Sequence, residues 1–307
     1  MKAIFVDANA TLAAVTERLL RADDPVVTIN GQPDITPDQL PAVVGDAEIV
    51  IIDHTHLPTG IARQCKGLKH VVFLGTGARS YMNPEELAAL DIEVHIIKGY
   101  GDTAVAECAF ALMWEAARSF GRMDREMRVG NWLRRDAVQL TGKTLGLVGF
   151  GGIAAELARL AMGVGMNVIA WNRSEKSHPG VRFMALEDVL ANSDVVSLHL
   201  LLTDETRGMI SRERLAQMRD GAILVNTARG AIVDEDAMIA ALQSGKLRHA
   251  GLDVYVTEPL PKDHPLTTLD NVTLSAHSAF RTPEASDNLI QSALNHCRRI
   301  SGQGTVQ

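Results

Sequence analysis

Arg229, Glu258 and His277 are side chains that together can move a proton and hold an anion, and each falls just beyond a short apolar run. Arg229 follows the run 222–226, Glu258 follows 250–254 and His277 follows 272–275. A carboxylate beside an imidazole stabilises the imidazolium. That form can protonate a carbonyl oxygen, and the neutral ring can take a hydroxyl proton in the reverse direction. A guanidinium binds a carboxylate through two parallel hydrogen bonds and polarises a neighbouring carbonyl. Each residue alone is ordinary: the chain has 10 histidines, most of which must be structural or solvated. The triplet gains weight from its position relative to a second motif.

That motif is the glycine turn Gly149-Phe150-Gly151-Gly152-Ile153-Ala154, entered from an apolar strand at 144–149 and leading into a helix at 152–163. Gly149 permits the sharp turn, Gly151 lets backbone approach a pyrophosphate, and the small Ala154 lets the helix sit against the sheet. Amides at the helix start then face the phosphates with the helix dipole behind them. Glycines also terminate strands, but the strand before, the helix after and a second strand ending at Asn172 favour a dinucleotide site. An acid at the end of that second strand would select NAD. The chain instead has Asn172-Arg173-Ser174, a cation flanked by two donors. This suits a 2′-phosphate and favours NADP, with NAD the alternative if Arg173 is merely an exposed strand-end residue.

These groups need strands to end together, and the alternation of apolar runs with helix-period segments supplies them. Strands are expected at 2–7, 49–53, 70–74 and 93–96, with helices at 10–22, 60–66 and 83–89 between them. Asn83-Pro84-Glu85-Glu86 is a helix start, with a capping Asn, a first-turn Pro and acids at the positive end. A second series places strands at 144–149, 167–172, 195–200, 222–226, 250–254 and 272–275, with helices at 152–163, 185–191, 212–217 and 235–244. Six strands with crossovers make a complete dinucleotide-type sheet. Between the series, 102–128 reads as one long helix, either a subunit-packing connector or a buried core helix. A last helix from Thr282 to Ile300 can cross back onto the first series.

At 307 residues two domains are expected. A net charge of −7 disfavours nucleic-acid and membrane-surface partners. Cys65, Cys108 and Cys297 are isolated, with no metal-ligand spacing around them, so no disulfide framework and no metal is expected. No apolar run suits a signal peptide or a membrane span, and a cytoplasmic protein is expected.

The chain resembles the D-2-hydroxyacid dehydrogenase family, which includes glyoxylate/hydroxypyruvate reductases and phosphoglycerate dehydrogenases. The resemblance rests on collinear segments from about Gly67 to Glu284: Val105-Ala106-Glu107, Gly149-Phe150-Gly151-Gly152-Ile153, the run ending Leu198-His199, Thr206-Arg207-Gly208, Asn226-Thr227-Ala228-Arg229-Gly230 and Gly251-Leu252-Asp253-Val254-Tyr255. It implies two doubly wound α/β parallel-sheet domains, a Rossmann cofactor domain (100–282) inserted into a discontinuous, flavodoxin-like substrate domain (1–99 plus 283–307). It also implies that Arg229 anchors a small 2-keto or 2-hydroxy acid, that His277 is the acid–base with Glu258 as its partner, and that Gly75-Thr76-Gly77 supplies amides to the substrate. The implied cofactor contacts are Thr103, Gly149, Gly151, Gly152, Ile153, Asn172, Arg173, Ser174, Thr206, Thr227, Ala228, Asp253 and Ala279, with Asp253 accepting from the nicotinamide carboxamide. A homodimer through the long helix is implied too.

The chain departs from the family at Ala78-Arg79-Ser80, where an Asp-Asn pair is common, and at Leu201, where Pro is usual. Phe280 falls near an aromatic found in several reductases. The expected activity is NADPH-dependent reduction of glyoxylate or hydroxypyruvate. The alternatives are an NAD-dependent phosphoglycerate dehydrogenase-like enzyme, disfavoured by Asn172-Arg173 and by chain length, and a dinucleotide-sensing corepressor-like binding protein.

Overall fold

The computed structural model describes residues 1–22 and 24–302; Asp23 and the last five positions of the expected first domain, 303–307, lie outside the described residues. The chain divides into two compact units, one from Met1–Gly101 with the segment from Thr282 onward, the other Asp102–Arg281.

The first unit holds strands β1 (Ala3–Phe5), β2 (Val27–Ile29), β3 (Ile49–Ile52), β4 (His70–Phe73) and β5 (Glu93–Ile96), all parallel, in the order β2-β1-β3-β4-β5. Helices α1 (Ala10–Leu19), α2 (Leu40–Val44), α3 (Thr59–Ala62) and α4 (Pro84–Ala88) alternate with them. β3 reads Ile-Val-Ile-Ile because both its faces are covered. Val50 and Ile52 pack with Leu40 and Leu87 on one face. Ile49 and Ile51 pack with Leu289, Ile290, Ala293 and Leu294 of the C-terminal helix (Pro283–Ile300) on the other. Asn83 caps α4 by accepting from the amides of Glu85 and Glu86 at 3.2 Å. The strand β2 and helix α2 were missing from the sequence expectation. β2 is a three-residue, half-exposed edge strand with too little apolar signal to stand out.

The second unit holds β6 (Thr144–Val148), β7 (Asn167–Trp171), β8 (Val181–Phe183), β9 (Val195–Leu198), β10 (Ala222–Asn226), β11 (Leu247–Leu252) and β12 (Val272–Leu274). They form one parallel sheet, β12-β11-β10-β9-β6-β7-β8, a doubly wound order whose reversal lies between β6 and β9. It has seven strands rather than six: β8, a half-exposed edge, was missed. Helices α5 (Asp102–Arg118) and α7 (Gly152–Gly163) cover one face, where Leu112 and Met113 meet Leu145, Leu147 and Leu157. Helices α8 (Leu186–Asn192), α9 (Arg212–Gln217) and α10 (Glu235–Gln243) cover the other, around Val196, Leu198 and Leu224.

The expected long helix 102–128 is two helices, α5 and α6 (Phe120–Arg128). The break is at Ser119, whose φ of 55° is left-handed. The Glu115 carboxylate accepts from the Gly121 amide at 2.9 Å, standing in for the Ala117 carbonyl, which accepts from the Val138 amide instead. Beyond the break Phe120, Met127, Val129 and Trp132 are exposed. Among the described residues no helix is long and apolar enough to cross a membrane.

Within the first unit the C-terminal helix is tied to the segment before β2 by Arg298, which donates two hydrogen bonds to the buried Asp24 carboxylate. Arg298→Met leaves that carboxylate without its charge partner and is expected to cost on the order of 3 kcal/mol. The guanidinium holds the Asp24 carboxyl below its ordinary value, so its contribution is complete at neutral pH and disappears as pH falls through that lowered value. Thermal unfolding midpoints of wild type and variant should therefore converge progressively below about pH 4; a constant gap would refute this role for the pair.

Candidate active site

Register brings the candidate residues to one edge. Val148, Leu198, Asn226, Leu252 and Leu274 pair in succession across β6, β9, β10, β11 and β12. The five strands thus end in a single row, and neighbouring strands lie about 4.8 Å apart. Arg229 lies three residues beyond its strand end, Glu258 six and His277 three, on three adjacent strands.

Within that row the His277–Glu258 pair is made. Nδ1 of His277 lies 2.6 Å from Glu258 Oε2, a hydrogen bond that leaves Nε2 for other chemistry. The other carboxylate oxygen accepts from the Tyr255 amide at 2.9 Å, which fixes the orientation of Glu258. Both side chains are a little over a third exposed, so solvent and ligand can reach them. His277 has a left-handed backbone, φ 46°. For a residue with a Cβ this is strained, and it is held by the His277 amide donating to Asp253 O at 2.8 Å.

Asp253 is buried, and its carboxylate organises the same loop. Oδ1 accepts from Ser275 Oγ at 2.5 Å and from the Ser278 amide at 3.0 Å, and Oδ2 accepts from the Ala279 amide at 3.0 Å. Ala279 therefore enters the site as a buried loop anchor.

Arg229 is placed by a residue the motif reading did not single out. The buried Asn226 accepts from the Ala228 amide and donates to Arg229 O, both at 3.0 Å, closing the turn after β10. One of the five guanidinium donors is spent on Ala228 O at 2.6 Å. Gly230 then presses against the Tyr255 backbone, where a Cβ would overlap the carbonyl. Arg229 is thereby linked through Gly230 and Tyr255 to Glu258 and His277. Tyr255 itself is fixed by its hydroxyl donating to Ser275 O at 2.7 Å, and burial pushes its pKa up to about 12.

The glycine turn is formed at the sheet reversal. Gly149 has φ 90°, and a Cβ there would collide with His199 O, so β6 and β9 approach as closely as only glycine allows. Gly151 precedes α7 with no side chain capping the helix, and open space lies where its Cβ would be. Ile153 packs partly into the core below. One step past the strand row, Thr227 Oγ1 and His199 Nε2 are buried without a hydrogen-bond partner among the described residues. Burial pushes the His199 pKa down to about 4, keeping the ring neutral. Uncapped amides, an open glycine and orphaned polar atoms along one edge fit a dinucleotide.

Other expected cofactor residues have more local work. Asn172 accepts from the Phe150 amide at 3.1 Å and donates to Ser174 O at 2.9 Å and Ser174 Oγ at 3.0 Å, so its amide shapes the turn. Arg173 extends outward but meets Glu205 at 3.0 Å, a carboxylate that the local sequence 172–174 did not contain. Thr206 donates to Leu201 O at 2.6 Å within its own turn. Thr103 is exposed in the first turn of α5. Asp102, which sequence reasoning missed, sets its carboxyl against Gly152; burial, and then Glu156, raise its pKa. No local signal joins residues 50 positions apart. In the first unit Gly75, Thr76 and Gly77 follow β4 at its C-terminal end, and Arg79 is bound to Glu85 rather than free.

Residues 110–279 match the family model described as D-isomer specific 2-hydroxyacid dehydrogenase, NAD binding domain. The chain is 36% identical over 256 residues to a hydroxypyruvate reductase of Thermotoga maritima, covering 81% of this chain and 83% of that one. It is 36% identical over 249 residues to a D-3-phosphoglycerate dehydrogenase of Archaeoglobus fulgidus, covering 78% of this chain but only 47% of that relative, so it spans about half of its length. Among solved structures, a glyoxylate reductase from Paecilomyes thermophila superposes with a TM-score of 0.88 at 28% identity, covering 100% of this chain and 97% of that one. The chain belongs to the D-isomer specific 2-hydroxyacid dehydrogenase family.

Proposed function

We propose that the protein reversibly reduces a small 2-keto acid, glyoxylate or hydroxypyruvate, with NADPH. The observation that carries this reading is the 2.6 Å His277–Glu258 pair at the end of the strand row that also bears Arg229 and the glycine turn. A bound nicotinamide cofactor supplies the hydride to the substrate C2. Protonated His277 hands its Nε2 proton to the carbonyl oxygen, while Glu258, fixed by the Tyr255 amide, stabilises the charged ring. Arg229 binds the substrate carboxylate and polarises the adjacent carbonyl. Asp253 keeps the 275–279 loop in register and offers Oδ2, which accepts one bond from protein, to the nicotinamide carboxamide.

The NADPH preference rests on Arg173 and Ser174. The Arg173–Glu205 pair is about four-fifths exposed, and such pairs contribute about 0–1 kcal/mol. A doubly charged 2′-phosphate can therefore displace Glu205 with little loss. The free thiols support a reducing, cytoplasmic setting. The exposed Phe120, Met127, Val129 and Trp132 support a homodimer packed through this segment.

His277→Ala should lower kcat for glyoxylate by roughly 10²–10⁴-fold while NADPH binding, read by fluorescence titration, stays within about twofold; unchanged kcat removes His277 from the chemistry. Arg173→Ala should raise KM for NADPH about tenfold or more with little change for NADH, and equal effects on both would defeat the cofactor assignment. A keto-acid panel assayed with both cofactors tests the substrate class: absence of turnover on all of them would favour a dinucleotide-sensing role.

A further inference from the structure

The histidines that the catalytic reading leaves unused include two that meet. His70 opens β4, and Glu93 and His95 lie on the neighbouring edge strand β5. Register pairs His70 with Glu93 and Val72 with His95, so all three side chains leave the same face of the sheet. His70 Nδ1 lies 3.2 Å from His95 Nε2, and each of those nitrogens lies 3.6 Å from Glu93 Oε2. The donor triangle has the size of a tetrahedral zinc face: bonds of about 2.0–2.2 Å put neighbouring ligand atoms roughly 3.3–3.6 Å apart.

We propose that His70, His95 and Glu93 form a Zn²⁺ site at the strand starts of the first unit, with water as the fourth ligand. Two imidazoles and one carboxylate are a donor set that zinc takes. The histidine side chains are only 21% and 12% exposed, whereas Glu93 is 67% exposed and leaves an approach from solvent. The C-terminal helix closes one side: the His296 ring stands 5.5 Å from that of His95, and Arg299 donates to His296 Nδ1 at 2.7 Å. Arg299 is the charge that opposes a cation here, and Glu93 is the one that compensates it.

The site lies at the opposite end of β4 from Gly75–Gly77. Zinc there clips the edge strand to its neighbour. The strand spacing hides it, because its donors come from positions 70, 93 and 95 with no short ligand motif. The inference is independent of the catalytic reading, and its test does not use activity.

The untagged full-length chain, stripped with chelator, is titrated with Co²⁺ as a spectroscopic probe and then with Zn²⁺. Intense visible d–d bands saturating at one equivalent, bleached by Zn²⁺, together with a rise of several degrees in the unfolding midpoint, are the expected result. Loss of an outer-shell partner already weakens metal sites by about 10–100-fold, so His95→Gln should lose at least the upper end of that range. Glu93→Gln, an exposed change that leaves the core intact, should weaken binding at least about tenfold. His277→Gln should keep the bands. Absence of tetrahedral bands in the wild type, their survival in His95→Gln and Glu93→Gln, or their loss in His277→Gln overturns the assignment and leaves a His70–His95 hydrogen bond only.

Discussion

The buried carboxylate of Asp253 is the interaction on which the candidate site depends. Its two oxygens accept three hydrogen bonds from residues 275–279, and its own carbonyl takes the His277 amide. A buried charge is costly unless its acceptor sites are filled. Here the filling is done by the loop that carries His277. The left-handed backbone of His277 is held in that way, so the strain stays with the side chain whose direction matters.

The same logic repeats along the strand ends. Asn226 closes the turn before Arg229, the Tyr255 amide orients Glu258, and Gly230 lets the two turns touch. None of these groups needs to meet the substrate. They turn an aligned row of five strand termini into a fixed constellation, and a small displacement of such groups is costly in rate.

Much of this was readable from residue order, because parallel strands buried on both faces leave continuous Val/Ile/Leu runs and ligands gather at their C-terminal ends. The glycine turn and the His277–Glu258 pairing came through for that reason. What did not come through was non-local. Edge strands β2 and β8 are three residues long and half exposed, so they carry little apolar signal. The break at Ser119 depends on a Glu115 side chain reaching Gly121, which helical periodicity does not report. Asp102 against Gly152, and Glu205 beside Arg173, join positions that only the fold brings together.

Asn172 links two things usually treated separately. The side chain that braces the Phe150 amide also holds Ser174, so the glycine turn and the turn after β7 share one brace. An aspartate grafted at position 172 would keep an acceptor for the Phe150 amide but lose the amide donor that holds Ser174, so only the second half of the brace would loosen. A selectivity switch has its best chance at Arg173 and Glu205, which can change without touching that brace.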